Sequence, residues 1–110
     1  MLKHKTEIHK APIIKFFSEH NPTIDQEYND WIKSLPGVTS LSNTLVDENK
    51  MERLIEFTDD AAYKNWLDGR KAQPSWLARS QYEGRYGIIA TSTRELIVFT
   101  ENNDQIAIPK

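Results

Sequence analysis

The segment 22–37, "PTIDQEYNDWIKSLPG", constrains the fold more than any other stretch of this chain. Ile24, Tyr28, Trp31, Ile32 and Leu35 recur at i, i+4, i+7, i+8 and i+11, which is one apolar face of a helix. Thr23 is placed to cap that helix, and Gln26, three residues on, can reach back to complete a capping box. Pro36-Gly37 stops it, because proline cannot continue the hydrogen-bond ladder and glycine lets the chain turn out. A helix with a single apolar face needs a second layer to cover that face.

The neighbouring segments supply strands for that layer. "VTSLSNTLV", 38–46, is rich in β-branched residues, "DENK", 47–50, is a polar turn, and "MERLIEF", 51–57, is a second strand, so an antiparallel hairpin is expected. Met51, Ile55 and Phe57 share one face of the second strand, with Glu52 and Glu56 on the other and Leu54 interrupting them. Thr58 or Asp59 then caps another helix, and Asp59 and Asp60 place negative charge where the helix dipole favours it. Tyr63, Trp66 and Leu67 form its apolar face, and Gly69 ends it. Ser75 is placed to cap a further helical piece, "WLARSQYEGR". Upstream, "PIIKFF", 12–17, reads as the first strand, with the polar, basic residues 1–11 as a flexible arm. Downstream, "YGIIAT", "ELIVFT" and "QIAIP" read as three short strands.

The resulting order is strand, helix, strand, strand, helix, strand, and a terminal pair. It predicts one α+β domain over residues 1–110: a ferredoxin-like antiparallel sheet with two helices on one face, plus a C-terminal hairpin extension. A chain of 110 residues can bury roughly 65% of its unfolded surface, enough for a core.

Composition narrows the chemistry. The chain has no cysteine, which excludes disulfides, thiolate nucleophiles and Cys-based metal sites. A net charge of −2 argues against strong whole-domain attraction to nucleic acid or to acidic membranes. No run of apolar residues is long enough to span a bilayer and the N-terminus has no secretory pattern, so a cytoplasmic protein without a membrane partner is expected. There is no Gly-rich phosphate loop, no G-x-S-x-G and no H-E-x-x-H, and the residues themselves name no reaction.

Residues 13–70 resemble the antibiotic biosynthesis monooxygenase-like group of dimeric α+β barrel proteins. The resemblance rests on a helix ending in Pro36-Gly37, a strand ending in Phe57, the acidic cap Asp59-Asp60, and the following helix with Ala62 and Trp66. It implies a homodimer whose two sheets pack into a barrel, with a pocket between sheet and helices in each subunit. It further implies a small apolar or aromatic ligand and, if the protein is an enzyme, a monooxygenase working without a cofactor. The haem-degrading branch of the group pairs a helical Trp with a nearby His; beyond Trp66 this chain has no histidine.

On these grounds Tyr28, Trp31, Phe57, Tyr63 and Trp66 are the expected pocket walls, a role compatible with core packing, since such pockets are mostly apolar and aromatic. His4 and His9, five residues apart, match no metal-ligand spacing and are expected to be solvated; no metal is expected. His20 is the one histidine placed near a pocket mouth, where it could serve as a general base. A second reading rests on "RKAQPSWLARSQYEGRY", 70–86, the most basic stretch of the chain. There Arg70, Lys71, Arg79 and Arg85 interleave with Trp76 and Tyr82, as in surfaces that contact nucleic acid or an acidic protein. That alternative is a non-enzymatic interaction or regulatory protein.

Overall fold

The first strand lies earlier than the apolar run suggests. In the computed structural model, which describes residues 2–93 and the strands 95–99 and 105–109, β1 is Leu2–His9. Leu2, His4, Thr6 and Ile8 alternate inward, and Lys3, Lys5 and Glu7 alternate outward. Residues 2–9 are therefore not a loose arm but an interior strand of the sheet. Their period-2 pattern is real, though half of its inward side chains are polar, which hides it from a reading based on hydrophobicity. The run at 12–17 is not a strand. Ala11 accepts from the Ile14 N–H at 3.1 Å to close a turn, Ile13 is left exposed, and Phe17–His20 form the short helix α1.

Helix α2, Pro22–Ser34, starts one step before the expected cap. Asn21, not Thr23, receives the Ile24 N–H at 3.2 Å, and Pro22 sits in the first turn, where its missing N–H costs nothing. Tyr28 and Ile32 are buried on its apolar face. Gly37 has φ +82°, and a Cβ there would stand 2.5 Å from the Ala62 Cβ and 2.8 Å from the Thr58 Oγ1, so both backbone geometry and space require glycine.

The hairpin β2, Val38–Asp47, and β3, Lys50–Phe57, follows as expected. Asp59 caps α3, Asp60–Gly69, accepting from the Ala62 N–H at 2.8 Å. A single 3₁₀ turn, Arg70–Ala72, leads to α4, Pro74–Arg85. Ser75 does not cap α4; it is buried inside the first turn, and Pro74 opens the helix. Gly84 lies within α4, and Gly87, at φ +67°, turns the chain towards β4, Ile89–Thr93.

The four strands form an antiparallel sheet in the order β2-β3-β1-β4. Each helical crossover skips one strand, which is the ferredoxin-like split βαβ arrangement. The strands β5, Glu95–Phe99, and β6, Gln105–Pro109, form a separate antiparallel pair, the C-terminal hairpin extension. The "ENND" between them lies outside the described residues.

Helices cover one face of the sheet. At one end, Leu2, Ile32, Ile55, Phe57, Tyr63 and Trp66 close an apolar core, in which Phe57 meets Tyr63 edge-on at 5.7 Å. At the other end Ile8, Phe16 and Ile88 form a smaller cluster. The opposite face carries a network of ion pairs: Lys3–Glu56 at 3.3 Å, Lys5–Glu52 at 3.5 Å and Lys50–Glu7 at 3.5 Å.

Candidate ligand site between helices and sheet

Between the two apolar clusters the helix-covered face of the sheet turns polar. Strand register aligns Asn43 with Arg53, Arg53 with Thr6, and Thr6 with Ser92, one residue from each of the four strands. The rows on either side are mainly apolar: Leu41, Ile55 and His4 on one flank; Leu45, Met51, Ile8 and Ala90 on the other. Arg53 is only 4% exposed, although it stands mid-strand between Met51 and Ile55. Its Nε donates to the Asn43 Oδ1 at 2.9 Å, and its Nη2 lies 3.8 Å from the Asp25 carboxylate on α2. A buried charge is tolerated only where such partners exist.

Helices α2 and α4 add further charges above this row. Arg79 and Glu83, one turn apart on α4, stand 3.7 Å from each other with both side chains about nine-tenths buried. The guanidiniums of Arg53 and Arg79 lie 5.3 and 4.9 Å from the centre of the Tyr28 ring. Burial pushes the Glu83 carboxyl up from its ordinary range, with Arg79 opposing and Asp25 adding to the shift. Burial also raises Asp25, opposed by the charge of Arg79 and by the hydrogen bond that the Asn29 side-chain amide donates to it.

A cavity of about 180 Å³ opens over the row, with Thr6, Arg53, Trp66, Arg70, Trp76 and Arg79 among its walls. Ser80, Ala90 and Ser92, all exposed, mark its mouth. A smaller cavity of about 60 Å³ lies on the Asp25 side of the same cluster and shares Arg53, Arg79 and Glu83. Arg70 is held between two indoles, 5.0 Å from the Trp66 ring centre and 5.2 Å from that of Trp76, an arrangement that fixes its plane.

The five aromatic residues expected as pocket walls divide. Trp66 faces the cavity. Tyr28, Phe57 and Tyr63 are fully buried around it in the core, and Trp31 stacks on Tyr28 at 5.9 Å and lies over Gly69. The basic segment 70–86 divides too. Arg70, Trp76 and Arg79 turn into the cavity, while Tyr82 and Arg85 line an outer groove with His20, and Lys71 is exposed. These six side chains therefore do not share one surface.

His20 stacks on Tyr82 at 4.4 Å in that outer groove, away from the inner cavity. His4 is not solvated. It is 3% exposed and packs between the rings of Trp66, at 4.9 Å, and Tyr63, at 5.8 Å. Among the described residues no group of three His, Asp or Glu side chains is arranged to hold a metal, and no helix is long and apolar enough to cross a membrane.

Sequence reasoning missed Arg53, Asp25, Thr6 and Asn43. For Arg53 a signal exists: it stands two residues from both Met51 and Ile55 and so occupies their inward face.

No family model matches the chain, and no curated protein matches its sequence. Solved structures do match. SnoaB, described as a cofactor-independent oxygenase from Streptomyces nogalater, aligns over 91% of this chain and 93% of its own, with a TM-score of 0.58 and 15% identity. The two share a fold. A point variant of the same oxygenase aligns over 88% of this chain and 90% of its own, with a TM-score of 0.58 and 16% identity. The ferredoxin-like α+β fold expected from the sequence is thus observed, and this oxygenase shares it.

Proposed function

We propose that this protein binds a small aromatic ligand in the cavity between helices and sheet, and that it oxygenates that ligand without a cofactor, as a homodimer of the α+β barrel type. The observation that carries this reading is the cavity of about 180 Å³, walled by Trp66 and Trp76 and floored by a polar row. The two indoles offer apolar surface to the ring of a ligand, and the rest of the lining is mostly polar and charged, which supplies groups that orient and bind its polar substituents. Tyr28, Phe57 and Tyr63 pack behind Trp66 and hold it in place, with Trp31 bracing Tyr28.

The fold shared with a cofactor-independent oxygenase supports the reaction class. One balanced reaction of this class is conversion of an activated ring methylene to a carbonyl. One atom of O₂ becomes the new carbonyl oxygen, and the other leaves as water with the two methylene hydrogens. The electrons come from the substrate itself, so no external reductant is needed.

In the dimer the ion-paired faces of two sheets meet. Alternating lysine and glutamate make that face self-complementary, as a two-fold interface requires, and its association weakens as salt rises.

A native mass spectrum of the purified protein tests the assembly: a dimer, with or without added ligand mass, supports it, and a monomer at micromolar concentration contradicts it. Oxygen uptake with dithranol, a polycyclic phenol with an activated methylene, tests the reaction in chelator-treated buffer. Uptake that is lost in Trp66→Ala supports the reading. Binding of dithranol without uptake would leave a binding protein that is not an oxygenase.

A further inference from the structure

We infer that the ligand of this cavity is an aromatic carboxylate, and that Arg79 and Arg70 receive its anionic group; the inference rests on the ligand site proposed above. Its starting point is charge. Among the described residues, the guanidiniums of Arg53, Arg70 and Arg79 border the cavity or its immediate cluster, against the two carboxyls of Asp25 and Glu83. One positive charge is in excess even with both acids ionised. The side chain of Arg53 is 5% exposed and that of Arg79 is 11% exposed, so solvent screens this excess poorly.

Hydrogen bonding points the same way. Arg53 spends its Nε on Asn43. The Nε of Arg70 and the Nε and Nη1 of Arg79 are buried without an acceptor in the protein, since Glu83 at 3.7 Å is too distant to bond. Buried donors of this kind are costly, and a ligand oxygen that accepts from them recovers the cost. Both residues border the 180 Å³ cavity, and a turn of either side chain is needed to bring these buried N–H groups onto one anionic group there.

The walls then select the class. With both acids ionised a monoanion already balances the excess, and protonation of either acid only increases the demand for an anion. A phenol, with an ordinary pKa near 10, brings no charge at neutral pH, whereas a carboxylic acid is ionised. Trp66 and Trp76 border the cavity and offer apolar surface to a flat ring, while Arg70, which stands between the two indoles, meets the carboxylate attached to it.

Isothermal titration of the full-length protein with 2-naphthoate and with its neutral isostere 2-naphthamide tests the inference. The carboxylate is expected to bind at least about 10-fold more tightly, the scale of one charge-assisted hydrogen bond in a buried site. Arg79→Gln is expected to shrink that preference to under about threefold, and Arg70→Gln, which leaves the Arg79–Glu83 pair intact, to reduce it in the same direction. Equal affinity for both probes overturns the inference while leaving the aromatic site standing. A preference that survives in both variants places the anion elsewhere and overturns it as well. Binding of neither probe overturns the inference and the ligand site together.

Discussion

The two halves of the helix-covered sheet face are built from the same strands and do opposite things. Around Phe57, Ile55 and Leu2 the inward side chains other than His4 add apolar area, and three aromatic rings close over them from α2 and α3. Two residues along β3, at Arg53, the same face becomes a polar row crossing all four strands. The first region holds the layers together. The second gives up apolar burial for charges and an open cavity, a loss that folding alone does not explain. The stabilising core and the proposed ligand site are thus separated along one strand.

That separation predicts how substitutions rank. Phe57→Ala, in the apolar half, is expected to cost about 3–5 kcal/mol in denaturant unfolding, by lost burial and the cavity left behind. Asp59→Ala removes the α3 cap and is expected to cost about 0.5–2 kcal/mol in the same measurement. In the polar half, the double change Arg53→Met with Asp25→Asn is expected to leave stability within about 1 kcal/mol of the original, because it removes both desolvation penalties with the pair. The same double variant is expected to lose aromatic ligand binding. A loss of stability as large as that of Phe57→Ala would make the polar row structural and break the comparison.

The smallest effect is a slope with pH. Asp25 and Glu83 have carboxyls raised by burial above their ordinary values of 3.8 and 4.5, so the folded state holds protons that the unfolded chain has released. Their contribution is complete below those values and is lost as pH rises through the raised folded values. Glu7 on the opposite face works the other way: Lys50 lowers it below 4.5, and its contribution is lost only as pH falls further. Unfolding measured from pH 4 to 7 is expected to show stability declining with pH from the buried pair, and Asp25→Asn with Glu83→Gln is expected to flatten that decline. An unchanged slope would mean that neither acid is held neutral by the fold.

The sequence shows the apolar half readily and the polar half poorly, for one physical reason. Helix faces, the Pro36-Gly37 stop and the 38–57 hairpin all declare themselves through apolar periodicity and turn residues, and they sit where that pattern places them. Strand β1 does not, because His4, packed into the apolar half, and Thr6, in the polar row, occupy two of its four inward positions. Apolar "PIIKFF" carries the stronger strand pattern, yet Ile13 is 92% exposed and the segment turns into α1. The basic segment 70–86 was legible as unusual, but which of its side chains point inward depends on how the 3₁₀ turn at Arg70–Ala72 sets the angle of α4, and no local pattern encodes that. Asp25 and Arg79 come together only through packing between α2 and α4.

The most direct test of the central claim uses the chain's three tryptophans, Trp31, Trp66 and Trp76, as reporters of place. Trp66 and Trp76 wall the cavity, whereas Trp31 stacks on Tyr28 behind it. Titrating ¹⁵N-labelled protein with 2-naphthoate while following the three indole N–H resonances is expected to move those of Trp66 and Trp76 together and to leave that of Trp31 nearly in place. Saturable binding that leaves Trp66 and Trp76 unmoved would put the ligand outside this cavity and contradict the account.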